Sequence, residues 1–392
     1  MRKILLHIFR IIISITSIVQ CDWLFKKLLF KIIFVYCVCI FISCNKPNES
    51  TTDTTPVNPD TTIISEDTIE PAANVYVVGD VSDGVHDFIK YWNNGKSFLV
   101  GDSLKNIIPS SIFVSGHDVY VSGSEYQPGF EYLPEYATAE YWKNGVVTKL
   151  IDGSNNGMAT DITVSGNDVY VLEQEFYDSL PNYRLYIVKY WKNGVPVNLC
   201  SIDGRAGASS IFVTGNDVYV AGTATYRKDG IDYYTAAVYW KNSKMVYLTD
   251  GSQISEAYSV YVSGNDVYVA GYEGDNAKYW KNGVPVTLSN GPGKSWANSI
   301  SVIGNNVYVA GEYHYSNNVA KYWINGIDQD LLTGWGEGLD TYATGISVSG
   351  SDVYISGYGP DKSVYWKNGI LHKLSPPGND NSVRATAIFV TQ

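Results

Sequence analysis

Carboxylates and histidines are the side chains that most often move protons or hold metals, and this chain has 39 Asp and Glu but only five His in 392 residues. An aspartate recurs at Asp118, Asp168, Asp217, Asp266 and Asp352, with Asn306 once in the matching place, each two residues after a glycine. That regularity reads as local hydrogen bonding in a repeated turn rather than as an acidic site. His86, His117, His314 and His372 form no pair with zinc-ligand spacing, and His117 fills a turn position that is Asn in sister segments. Asp152-Gly153-Ser154-Asn155-Asn156-Gly157 lacks the ligand spacing and distant Glu of an EF-hand loop. No metal, cofactor or catalytic residue is therefore assigned. The enzymatic alternative rests on the loop carboxylates Glu131, Glu135, Glu337 and Asp340, because two carboxylates at suitable separation cleave glycosidic bonds by acid–base chemistry.

The elements that would position such groups follow from a repeat. Tyr-Trp and a short polar turn recur at Trp92, Trp142, Trp191, Trp240, Trp280, Trp323 and Trp366, at intervals of 40 to 50 residues. Such a period is too short for an independent domain, so each unit must bury its faces on its neighbours. One unit reads as four strands, A to D: 257–264, 265–271, 277–283 and 284–288, rich in β-branched and aromatic residues. Asn-Gly joins C to D in six units and Asn242-Ser243 in the seventh, the dipeptide that favours tight hairpins because both residues tolerate positive φ. A glycine joins A to B. The longer B-to-C and D-to-A connections then share one face, where sequence variation collects. An alanine recurs near the start of strand A (Ala159, Ala208, Ala257, Ala297, Ala343, Ala385, with Pro109 once), which suits strands crowded around a channel. The tryptophan of strand C is expected to fill the space between units.

The ends complete the count. Residues 74–79 match strand B with no strand A before them, and 385–391 match strand A with no strand B after them. The fold expected is all-β, a seven-bladed β-propeller of four-stranded blades, closed by the C-terminal strand joining the first blade.

Departures from the repeat are the candidates for binding. Trp296 and Trp335 stand off-pattern, in D-to-A connections by this alignment, where an exposed ring stacks on a sugar or anchors a protein. Three consecutive blades also use 18 or 19 residues between strand B and the tryptophan, against 9 to 13 in the others. These inserts read as raised hairpins forming a wall rich in aromatic residues, among them Tyr126, Tyr132, Tyr177, Tyr183 and Tyr233. Many of the rings should simply pair across their hairpins.

Residues 1–43 are a separate problem. A basic start, the largely apolar run 32–43 and the Ser43-Cys44 ending are the marks of an export signal ending in a lipobox, with Cys44 as the acylated first residue of the mature chain. Twelve residues make about 18 Å of helix, short of a bilayer core. Residues 44–73, rich in Thr, Pro, Asp and Asn, read as a disordered tether, and 74–392 as the propeller. Only Cys200 would remain in the folded part, so no disulfide forms there. Without its first 43 residues, which hold six of the 28 Lys and Arg and one of the 39 acids, the chain carries a net charge of −16. Nucleic acid is an unsuitable partner for such a surface.

The Tyr-Trp-Lys-Asn-Gly…Leu…Gly-Asn-Asp-Val-Tyr-Val-Ala-Gly pattern covers the whole folded region and resembles the propeller-repeat lipoproteins of Gram-negative envelopes, and more loosely HAF-type extracellular repeats. The resemblance implies a cell-envelope propeller and brings no catalytic residues. Neither the Ser-x-Asp-x-Gly-x-x-Trp box of sialidases nor a quinoprotein motif occurs. The expectation is a monomeric, lipid-anchored outer-membrane module that binds protein or glycan on its variable face.

Overall fold

The computed structural model describes residues 73–392 except 128–135, 152–155, 181–182, 201–205, 228–232, 290, 333–334, 336–337, 361 and 375–381. All the described regular structure is β: seven four-stranded antiparallel sheets, each a blade. Blade 5 shows the pattern, with strands Ser255–Ser263, Asp266–Glu273, Asn276–Lys281 and Val284–Thr287 paired in chain order from the inside outward. Each first strand touches the first strand of the next blade all the way round, so the sheets close into a ring.

Closure takes place in blade 1, where Ser382–Thr391 supplies the inner strand to Asn74–Ser82. Ile388 lies opposite Val77 and Phe389 opposite Tyr76. The ends of the folded region are thereby hydrogen-bonded to each other, and the ring has no open edge between blades 7 and 1.

The strand C tryptophans are the largest buried side chains, and each packs on the preceding blade. Trp142 sits with Val78, Ile89 and Val100 of blade 1, and Trp92 with Tyr354 and Leu374 of blade 7. A second set of contacts ties the inner strands together. Each inner strand bulges just past the repeated alanine, as between Ala257 and Ser259. At the bulge a short polar side chain accepts the backbone N–H of the next blade: Asp161 from Ile211 at 2.8 Å, Ser259 from Ile300 and Ser299 from Ile346, both at 3.2 Å. Burial pushes the Asp161 carboxyl above its ordinary value, against the pull of those bonds. Below the bulges the inner strands enclose a cavity of about 340 Å³, lined by residues such as Phe113, Phe212 and Phe389.

The face of the short turns repeats almost without change. Asn94, Asn144, Asn193, Asn242, Asn282, Asn325 and Asn368 all adopt φ near +50°. Each side-chain oxygen accepts a backbone N–H of strand B, as from Val267 at 2.9 Å, and the amide donates to the recurring Asp in five blades, as Asn282 to Asp266 at 2.7 Å, and to Asn74 or Asn306 in the other two. Asn242-Ser243 keeps the same hairpin with Ser243 at φ 65°, so the departure in sequence is not a departure in shape.

Candidate functional site

The opposite end of the channel, toward the long connections, is where the blades differ. Its geometry is set by a glycine of strand B. A Cβ on Gly271 would fall 1.9 Å from the carbonyl oxygen of Glu256, and one on Gly357 2.0 Å from that of Tyr342. Glycine lets the bulged inner strand approach that closely. In six blades the residue before the repeated alanine, or before Pro109 in blade 2, therefore lies opposite the residue after the glycine; in blade 3 Glu173 replaces the glycine and the corresponding pair is kept.

Four adjacent blades carry large or charged side chains there: Glu256 with Tyr272, Trp296 with Glu312, Tyr342 with Tyr358, and Arg384 with Asp80. The other three carry Ile108 with Ser124, Met158 with Gln174, and Gly207 with Thr223. The rim of the channel is thus an aromatic and ionic arc facing one that is neutral and carries no aromatic ring.

Within the first arc the rings form a chain across blades. Tyr258 lies 5.8 Å from Tyr272, Tyr272 meets Trp296 edge-on at 6.5 Å, and Trp296 lies 6.4 Å from His314. Tyr342 and Tyr358 stack at 4.6 Å. Such spacings are those of attractive aromatic pairs. Carboxylates are threaded between them. Glu256 lies beside Tyr258 and Tyr272, and burial together with the charge of this carboxylate raises both phenols, Tyr272 to about 12. One oxygen of Glu312 is buried with no hydrogen-bond partner. Burial, reinforced by the charge of Asp340, raises the Glu312 carboxyl to about 7. Asp340 is itself held by the backbone N–H of Asn318 at 2.7 Å, while the Asn318 amide donates to the Tyr342 hydroxyl at 2.9 Å. Asp80 is raised by burial although Arg384 pulls it down.

The residues expected from sequence fall in different places. Trp296 is not in a connection: it belongs to the inner strand Lys294–Ile303 and is half-buried on the rim. The strand begins three residues before the alanine, so the ring is fixed by ladder pairing rather than carried on a loop. Trp335 does lie in a connection, against the backbone of Gly359, where a Cβ would stand 2.7 Å from the ring, and beside the core between blades 6 and 7. Tyr126 is tied down, donating its hydroxyl to Asp87 of blade 1 at 2.6 Å. Tyr132, Glu131, Glu135, Glu337 and Cys44 lie outside the described residues, as do the side chains of Tyr177, Tyr183 and Tyr233. The long hairpins are present as backbone, for Asp168–Leu180 pairs with Tyr183–Lys192 to its tip. Phe176 pairs with Tyr186 and Tyr226 with Tyr234 across the hairpins, at 6.5 and 6.0 Å.

The repeated aspartates do serve the turn. Asp118, Asp168, Asp217, Asp266 and Asp352 each bond the turn Asn and a lysine of strand C, and those bonds hold their carboxyls below the ordinary range. Among the described residues no group of three His, Cys, Asp or Glu side chains is placed to hold a metal ion.

Sequence reasoning missed Glu312, Tyr272, Tyr342, Tyr358, Arg384 and Asp80. The signal lay in the aligned repeats: the positions just before the alanine and just after the glycine carry a different residue pair in every blade, while the alanine and the glycine themselves recur in six blades each.

No protein-family profile matches the chain, and no curated protein does. Solved structures with similar architecture include the β-propeller domain of the trilobed protease from Pyrococcus furiosus, at TM-score 0.46 and 9% identity over 78% of this chain and 95% of that one. Pyrococcus horikoshii acylaminoacyl peptidase gives 0.45 and 13% over 78% of this chain, which spans 50% of the peptidase. TolB from Acinetobacter baumannii gives 0.36 and 12%, over 72% and 82%. None of these similarities extends to a shared function.

Proposed function

We propose that this chain is a binding module: a rigid propeller whose ligand, a protein segment or a glycan, docks on the aromatic and ionic arc of the rim, with no covalent chemistry. The observation that carries the reading is the four-blade run of rim pairs centred on Trp296, Glu312 and Tyr342 in a scaffold whose other features repeat. Aromatic rings held by strand pairing contribute contact area at little entropic cost, and the carboxylates beside them fix orientation. Trp335 and the tyrosines of the long hairpins, Tyr126, Tyr132, Tyr177, Tyr183 and Tyr233, would extend the contact outward. The module is exported and held on the outer membrane by lipid on Cys44. Cys44→Ser should release it into the soluble fraction, and retention on the membrane would count against the anchor.

The binding reading is tested by Trp296→Ala in a glycan array and an envelope pull-down. Loss of at least tenfold in retention, at an unchanged melting temperature, supports it. Unchanged retention of an identified ligand removes this site.

A second reading has one observation in its favour. Glu312, raised to about 7 with Asp340 beside it, has the character of a general acid. A glycoside hydrolase or polysaccharide lyase would release reducing or unsaturated ends from a polysaccharide panel, and Glu312→Gln would abolish that release. Absence of products across the panel leaves the binding reading.

A further inference from the structure

Blade 4 breaks the rim in a way no other blade does. At the position before the alanine the other six inner strands carry Ile108, Met158, Glu256, Trp296, Tyr342 and Arg384, whereas blade 4 has Gly207. Over it lies a pocket of about 350 Å³, between the Gln174 and Tyr186 side of blade 3 and Glu256 of blade 5. The volume is at the low end of ligand sites, about 300–1,000 Å³. The glycine is not there for backbone reasons: a Cβ on it would meet nothing closer than the Gln174 side-chain oxygen at 3.7 Å and Thr223 at 3.9 Å, ordinary contacts. What the missing side chain leaves is room.

The lining selects the occupant. Gln174, Ser209, Thr223, Thr225, Thr235 and the Tyr186 hydroxyl both donate and accept hydrogen bonds. The Thr225 and Thr235 hydroxyls meet at 3.4 Å, a weak bond that leaves capacity for a third partner. Among the described residues no Lys, Arg or His is in the lining to hold a phosphate or sulfate, and Glu256 would repel one. Among the described residues no Leu, Ile, Val or Phe lines it, so an apolar group would leave many polar groups unpaired. Glu256, beside Tyr258 and Tyr272, offers acceptor oxygens on the side facing the aromatic arc. We infer that the pocket over Gly207 is a subsite for one neutral sugar unit of a glycan whose following units run onto the arc at Tyr272 and Trp296. This deepens the binding reading and rests on it.

The test uses the full chain on an array of neutral oligosaccharides with glucose, galactose and mannose ends, beside sulfated and uronic-acid oligosaccharides. Retention of neutral glycans is expected, with a loss of at least tenfold in Gly207→Phe, which fills the space. Thr225→Val, of the same shape, should lower affinity several-fold and covers the case in which Gly207→Phe fails to fold, judged by its melting curve. Neutral glycans held equally well by folded Gly207→Phe, or by Thr225→Val if only that variant folds, would overturn the subsite, as would retention of acidic glycans alone. If Trp296→Ala loses binding while Gly207→Phe keeps it, the arc stands and the pocket falls. If nothing is retained on the array but an envelope protein is captured through Trp296, the pocket again falls alone. If neither glycan nor protein is retained, both readings fall.

Discussion

The two ends of the channel are built from the same strands and differ in kind. At the short-turn end five blades repeat one arrangement, in which a strand C lysine bonds the strand B aspartate and lies over a tyrosine ring: Lys143 stands 2.7 Å from Asp118 and 5.2 Å from the Tyr120 centroid, and Lys281 2.8 Å from Asp266 and 5.2 Å from Tyr268. At the long-connection end no two rim pairs are alike. Repetition at one end answers a need every blade shares, to close its hairpins and meet its neighbour. Variation at the other has no such common cause, and it falls on side chains that face the mouth of a preformed ring. Under the proposed binding role, recognition and stability are therefore separable in this molecule, by which end a substitution touches.

The separation breaks first if the interblade core is not the main source of stability. Trp142→Ala removes a fully buried ring between blades 1 and 2 and should cost about 3–5 kcal/mol in urea unfolding. Trp296→Ala, half-buried on the rim, should cost about 1 kcal/mol or less. Reversal of that order would mean that the rim tryptophan is a core residue.

The glycines sharpen the comparison. Gly357→Ala forces a methyl group against the Tyr342 carbonyl and the Trp366 ring and should cost about 2–3 kcal/mol. Gly207→Ala meets only ordinary contacts, and its melting temperature should match the parent within a degree or two. Equal effects at the two sites would show that the bulge relaxes more easily than its geometry suggests.

Glu312 provides the pH-dependent case. Its carboxyl keeps its proton to about 7 in the folded chain but loses it near 4.5 when unfolded. The folded state therefore binds the extra proton between those values, and stability falls as pH rises through that window. Glu312→Gln should match the parent at pH 4 and exceed it by roughly 1–3 kcal/mol at pH 8, after allowance for the part of the carboxyl that meets water. A constant difference across that range would remove Glu312 as the titrating group. The repeated end gives a modest effect: Asn282→Ala removes the acceptor for Val267 and the donor to Asp266, and should cost about 1 kcal/mol by thermal melting.

Blade number, strand order and closure were legible because they follow from local signals repeated seven times. Asn-Gly turns, the tryptophan spacing and complementary partial units at the two ends leave one arrangement that buries every face. Trp296 stands off the repeat in the sequence, but its place in a strand is not legible there, since an aromatic residue after Gly293-Lys294-Ser295 carries no mark that pairing has already begun. Glu312 and Tyr342 were passed over for another reason. Each looks unremarkable in its own blade, and neither lies near the other in sequence.

By itself the sequence determined the scaffold: hairpin geometry depends on residues within a few positions of each other, and the period of the buried tryptophans dictates how units must stack. The tertiary structure alone decided the site. Ring closure brings Arg384 beside Asp80 and sets the rim residues of blades 5, 6, 7 and 1 next to one another. The absence of a side chain at Gly207 becomes a pocket only when blades 3 and 5 stand on either side of it. Proximity across blades is a product of closing the circle, and no stretch of a single repeat encodes it.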